Sequence, residues 1–190
     1  DLPQNPRSRD QLILAAFGSP DPRQIDGLGG ADPLTSKVAI VARSTRSDID
    51  VDYCFGQVGI ASATVNYAVS CGNTAAAVAL YAIHERLVRD ADGPARVRIH
   101  CVNNGNQIVA TVSTTSGLPP GGRDARGPVV PSPDAQVSLE FIDPAGGDTG
   151  HLLPSGTPQN EMQTTRGTRV RFSLVDCGNL YAIIPAHTWG

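Results

Sequence analysis

Residues 70–88, "SCGNTAAAVALYAIHERLV", open on a cysteine, a glycine and an asparagine and are then apolar at almost every position from Ala75 to Ile83. A helix with that composition has no solvent face for more than two turns, so the spacing predicts a central helix over about 73–89 that is enclosed on all sides. Its alanines let surrounding strands approach closely. His84, Glu85, Arg86 and Arg89 mark the end that emerges into water, and the arginines suit a helix C-terminus electrically. Asn73 reads as the N-cap, and the free N–H groups of the first turn then need acceptors. A bound carboxylate would serve, drawn by about half a positive charge at the helix end. The same field lowers the pKa of a thiol placed there, and Gly72 lets a ligand reach the backbone. The motif is suited to hold an anion beside a reactive sulfur; the other reading is Cys71 as a small buried hydrophobe and Asn73 as an ordinary cap.

Around this helix the chain reads as strands. Before it, "RDQLILAAFG" (9–18) places Leu12, Ile13, Ala16 and Phe17 at helical spacing with Gly18 as the stop. "SKVAIVAR" (36–43) reads as a largely buried strand, and "VDYCFGQV" (51–58 with Asp50 before it) alternates with Val51, Tyr53, Phe55 and Gln57 on one side. A further run spans Thr64 to Val69. After the helix, "ARVRIHCVNN" and "QIVATVSTT" flank Gly105 as a hairpin. Residues 115–134 are dense in Gly and Pro and read as an exposed connection. "AQVSLEFID" (135–143) and "TRVRFSLVD" (168–176) are strand candidates on either side of a turn-rich stretch, and the apolar "LYAIIPA" (180–186) follows. The fold class is α+β, a mostly antiparallel sheet with two helices, and not a doubly wound βαβ sheet.

Composition excludes several classes of function. The 190 residues carry a net charge of −3 with Lys and Arg scattered singly, so no basic stripe exists to neutralise phosphates and nucleic acid is not an expected partner. The longest apolar run is about half of a bilayer crossing, and neither a membrane span nor a signal peptide is expected. The four cysteines, Cys54, Cys71, Cys101 and Cys177, show no C-x-x-C pair and no metal-ligand spacing with His. They read as free thiols of a cytoplasmic protein without a metal site.

A second candidate lies in "QIDGLGGADPLTSKVAIV" (24–41). A Walker A loop needs Gly directly before Lys and a helix after it, whereas Ser36 precedes Lys37 and a strand follows. A dinucleotide fingerprint fails too, because Asp32 stands where its third Gly belongs. What remains is a lysine at the mouth of an apolar strand, behind glycines that permit close backbone approach. Such an ammonium can act as a base when desolvated, or grip a carboxylate as a point charge; a solvated strand-end lysine is the other reading.

Taken together, "GSPDPRQIDGLGGADPLTSKVAIV", "VDYCFGQV", "SCGNTAAAVALYAI", "VRIHCVNNGNQIVA", "LEFIDPAGGDTGHLLPSG" and "RFSLVDCGN" resemble successive blocks of the PrpF-type isomerases, in family order and over nearly the whole chain. That family includes 2-methylaconitate cis-trans isomerase, methylitaconate and aconitate Δ-isomerases and oxalomesaconate tautomerase. The resemblance implies a diaminopimelate-epimerase-like fold, in which each lobe wraps a mostly antiparallel sheet around a central helix. It implies proton transfer within an unsaturated di- or tricarboxylate without metal or organic cofactor. It also implies Lys37 and Cys71 as the catalytic pair, with the backbone of Gly72 and Asn73 holding a carboxylate. Gln24, Gly29, Gly30 and Ser36, from the same matched loop, would belong to the substrate pocket.

Departures from the family pattern shape the domain reading. The family's usual first strand, with an R-G-G-T-S-like segment, has no counterpart here, nor has the H-K-A-like helix start of a second lobe. Residues 1–190 therefore read as a single N-terminal-type lobe, which would complete its cleft as a homodimer or with a second lobe. Leu180 follows Asn179 where the family commonly has Pro, and Ala76 stands where an arginine often follows the motif in amino-acid epimerases. Two further functions share these features: keto-enol tautomerisation of an oxalomesaconate-like acid, and carboxylate binding or scaffolding without catalysis. His84, His100, His151 and His187 pair with no nucleophile by spacing and receive no role.

Overall fold

A computed structural model describes residues 2–88, 94–113 and 136–189. Arg89, the connection 115–134 and Ala135 lie outside the described residues. Helix α1 (Pro6–Phe17) starts at Asn5, whose Oδ1 accepts from the Ser8 N–H at 3.2 Å. It stops at Gly18, where a φ of 77° lets the chain turn and return N–H groups to Ala15 and Leu14. The glycine stop read from the sequence is therefore the observed one.

Strands β1 (Lys37–Arg43), β2 (Val51–Val58), β4 (Ala95–Cys101), β5 (Gln107–Val112) and β6 (Val137–Ile142) line up in the order β1-β2-β4-β5-β6, with β3 (Val65–Asn66) paired to β2. Every pairing is antiparallel except β2 with β4, which runs parallel because helix α2 (Gly72–His84) carries the chain across between them. The sheet packs around α2, which touches β1, β2, β4, β5 and β6. Val51, Tyr53 and Phe55 of β2, Val97 and Ile99 of β4 and Ile108, Ala110 and Val112 of β5 enclose Ala75, Val78, Ala79, Ala82 and Ile83. Each large side chain buried this way stabilises the fold by about 1.5–3 kcal/mol. The alternation read in β2 is real at Val51, Tyr53 and Phe55, all buried. The architecture is the expected α+β lobe, a mostly antiparallel sheet around a central helix.

A second, three-stranded antiparallel sheet has the order β7 (Asn160–Gln163), β8 (Arg169–Cys177), β9 (Asn179–Ile183). Strand β7 carries Asn-Glu-Met-Gln, without apolar alternation or β-branching, so no sequence pattern announces it.

Four expectations need correction. The central helix ends at His84 rather than 89: Arg86 takes a left-handed φ of 54°, its N–H bonds the Ile83 carbonyl, and the Leu87 N–H bonds that of Ala82. The reversal turns Leu87 and Val88 inward against the core, which a continuing helix would not do. Nor is the helix enclosed on all sides. Asn73, Ala77 and Tyr81, four residues apart, form an exposed stripe, because β1 is the sheet edge and leaves an apolar groove of about 400 Å³ between Ala39, Ile40 and Val41 and the helix. For the same reason β1 is half-buried, with no fully buried residue, instead of largely buried. Of the run from Thr64 to Val69, only Val65 and Asn66 pair as strand. Among the described residues no helix is long and apolar enough to cross a membrane, and all four cysteines are free thiols.

Candidate active site

Lys37 is the first residue of β1 and lies opposite Gln57 near the end of β2. Because β2 runs back along β1, its end at Val58 lies beside the start of β1; the chain then passes through β3 and enters α2 at Cys71. Both residues thus stand at one end of the sheet. Lys37 Nζ is 3.5 Å from Cys71 Sγ. Burial pushes the Cys71 thiol up, but the Thr74 hydroxyl and N–H and then the Lys37 ammonium draw it down, and the net result lies below the ordinary thiol value. By contrast, burial alone pushes Cys101 up to about 11. An amine and a thiol whose ionisation is eased stand within one contact, so a proton donor and a proton acceptor can share the same small volume.

The helix mouth differs from the sequence reading in one respect. Cys71, with φ −141° and ψ 112°, is the N-cap, and Asn73 lies inside the first turn and exposed. The extended backbone ends at Cys71, two residues sooner than Asn73 as cap would require, and the first intrahelical bond runs from the Ala75 N–H to the Cys71 carbonyl at 3.0 Å. The sulfur makes no capping bond of ordinary geometry. The N–H groups of Gly72 and Asn73 have no intrahelical acceptor at the mouth beside it. A Cβ on Gly72 would meet Phe141 at 3.5 Å, an ordinary contact, so packing does not require glycine there. What its absence provides is clear approach to the backbone.

The opposite side of Cys71 is fixed by the second sheet. The Ser70 hydroxyl donates to Asn179 Oδ1 at 3.1 Å, at the turn between β8 and β9. Just before that turn, fully buried Asp176 accepts from the Thr149 hydroxyl at 2.7 Å, the Thr149 N–H at 2.6 Å and the Asp148 N–H at 3.0 Å. The Thr149 hydroxyl first, and the two amides against the opposing effect of burial, hold its carboxyl below the usual carboxylate range. Asp148 in turn accepts the Leu180 N–H at 3.0 Å. The G-G-D-T-G stretch is thus a collar around one carboxylate.

Of the sequence-predicted residues, Lys37, Cys71, Gly72 and Asn73 come together. Gln24 and Ser36 do not face the opening: they are 2 % and 0 % exposed and bond each other inside the loop. Gly29 is buried against the Gln24 side chain, and only Gly30 of that group is exposed. His84 pairs with Glu85 and His100 with Asp52, while His151 and His187 are exposed. Thr74, Ser70, Asn179 and Asp176 were missed as contributors. Only Thr74, three residues after a helix-capping cysteine, had a signal in sequence. Among the described residues no three His, Cys, Asp or Glu side chains converge as a metal site needs.

The family model described as "PrpF protein" matches residues 1–190. The chain belongs to the PrpF family. This PrpF chain is 47 % identical over 186 residues to the (4E)-oxalomesaconate Delta-isomerase of Novosphingobium sp. (strain KA1), covering 98 % of the chain and 51 % of that protein. It superposes on the crystal structure of a methylitaconate-delta-isomerase with a TM-score of 0.74 at 40 % identity, covering 98 % of this chain and 48 % of the other. A hydroxyproline epimerase from Agrobacterium vitis, only 13 % identical, shares the fold with a TM-score of 0.57 over 97 % of this chain and 42 % of its own. The epimerase-like fold expected from the resemblance is therefore the one found. The PrpF chain spans about half the length of the curated relatives it matches.

Proposed function

We propose that this PrpF chain provides the proton-transfer pair of a cofactor-independent isomerase acting on an unsaturated di- or tricarboxylate of the aconitate or itaconate kind. The 3.5 Å contact between Lys37 Nζ and Cys71 Sγ at an open helix mouth carries the reading. One of the two takes a proton from the carbon next to the double bond, and the electron pair of that C–H bond delocalises toward a carboxylate as an enolate-like intermediate. The other returns a proton at the far end of the allylic unit, so one C–H bond breaks, one forms and the double bond moves. Rotation in the intermediate gives the cis-trans outcome. The amides of Gly72 and Asn73 face the carboxylate on which charge grows. The names of the matched relatives, Delta-isomerases of oxalomesaconate and methylitaconate, support this substrate class.

The space bounded by Cys71, Tyr53, Cys101, Asn106 and Phe141 is about 10 Å³, whereas ligand pockets run to about 300–1,000 Å³. On this reading residues 1–190 are one lobe, and the remaining wall is supplied by a second lobe or a second copy. Four free thiols support a reducing, cytoplasmic setting.

Incubating the full protein with candidate acids in deuterium oxide, followed by NMR, tests the function. Deuterium entering the allylic position, and lost in Lys37→Ala, is the expected result. Label beside a keto group would replace the reading with a tautomerase, and binding without label in the native protein would reduce it to a carboxylate-binding lobe.

A further inference from the structure

The loop 18–36 has a polar interior that ends at the residue before Lys37. Gln24 Oε1 accepts the Ala31 N–H at 2.7 Å and the Ser36 hydroxyl at 2.9 Å, and Gln24 Nε2 donates to Ser19 Oγ at 3.1 Å. The Ser36 hydroxyl also lies 3.2 Å from the Gly29 carbonyl. The Ser36 carbonyl accepts from the Val58 N–H and from Gln57 Nε2, both at 2.9 Å, and Gln57 stands opposite Lys37 in the ladder. Ser36 is thus tied on its side chain to the loop and on its backbone to β2.

Two features show that the loop is built for this amide. Gln24, Asp26 and Ala31 take left-handed φ values of 46°, 60° and 56°, a conformation that side chains other than glycine adopt only where the surroundings over-determine it. A Cβ on Gly29 would fall 2.0 Å from Gln24 Oε1. The glycine that a sequence reader assigns to a ligand is therefore filled by the chain's own glutamine.

We infer that Gln24 is a positioning residue for Lys37: through Ser36 it fixes the start of β1, and with it the place where the ammonium stands against Cys71 Sγ. Lysine has a long, flexible stem and acts as a point charge, so its reach to the sulfur depends on where its backbone is held. Small displacements of a reacting group carry large penalties in rate. The inference rests on the reading of Lys37 and Cys71 as a coupled pair.

The test is the pH dependence of Cys71 alkylation by iodoacetamide in the full protein, read on the Cys71 peptide by mass spectrometry, with folding checked by circular dichroism. Lys37→Ala sets the full upward shift of the midpoint. Gln24→Leu and Ser36→Ala are expected to move the midpoint upward by at least half of that shift. Ser19→Ala, which loosens the same loop but leaves the Gln24–Ser36 bond, is expected to leave it in place. A folded Gln24→Leu with the parent midpoint overturns the inference, and so does an equal shift in Ser19→Ala. If Gln24→Leu does not fold, Ser36→Ala decides, by the same two outcomes. A Lys37→Ala protein with an unmoved midpoint would instead overturn the coupled pair itself.

Discussion

Lys37 Nζ and Cys71 Sγ are 3.5 Å apart although thirty-four positions separate the two residues in the chain. Neither side chain owes its place to its neighbours in sequence: one is delivered by the start of an edge strand, the other by the start of the central helix. The contact sets the lysine's charge beside a sulfur whose pKa burial alone would raise.

The thiols should therefore differ in reactivity. Limiting iodoacetamide at neutral pH should label Cys71 well ahead of Cys101, whose pKa burial pushes up to about 11. Each unit of thiol pKa changes the thiolate fraction about tenfold in this range. Peptide mapping of the native protein checks this, and equal labelling of the two would contradict the described electrostatics.

Gly72→Ala separates folding from ligand binding. Packing leaves room for the methyl group, so the thermal midpoint should hold or rise, by about 0.4–1 kcal/mol where a helical glycine is replaced without strain. Affinity for a candidate polycarboxylate, measured by calorimetry, should fall because the methyl group stands over the amides. Unchanged affinity would move the carboxylate away from the helix mouth.

Asp176→Asn bears on acid stability. The carboxyl pKa is lowered in the folded state, chiefly by the Thr149 hydroxyl, so the stability it contributes is present above the ordinary carboxylate value and is lost as pH falls through the folded one. The melting-temperature gap between parent and variant should be widest near neutral pH and close on acidification. A gap that widens in acid would show the sign to be wrong.

Ile99 and Leu12 contrast core and surface. Ile99 is fully buried against the central helix, while Leu12 is 48 % exposed on α1. Urea denaturation should show a loss of about 2–5 kcal/mol for Ile99→Ala and a change within about 0.5 kcal/mol for Leu12→Ala.

The sequence was most legible where pattern and packing coincide. The unbroken apolar run from Ala75 to Ile83 has no stable place except inside a sheet, and the alternation of Val51, Tyr53 and Phe55 faces it. Less legible were positions decided by tertiary contacts. The helix ends at His84 and the chain reverses at Arg86, in a conformation usually reserved for glycine, which seats Leu87 against the core. Gly29 looked like an opening for a ligand, since nothing in the local pattern says that Gln24, five residues earlier, folds back to occupy it. The pairing of Lys37 with Cys71 emerged from motif resemblance, and Ser70, Asn179 and Asp176 emerged only once the second sheet was placed against the helix start.

The reversal at Arg86 anchors the far end of α2 in rotation as well as in length. Successive residues of an α-helix are about 100° apart around its axis, so with Leu87 seated in the interior the azimuth of every earlier side chain is determined. One alanine inserted between Ala75 and Ile83 would swing the sulfur about a quarter of a revolution away from the amine and break its contact with Lys37 Nζ without altering either residue. The geometry of the reactive end is thus clocked from the opposite pole of the lobe.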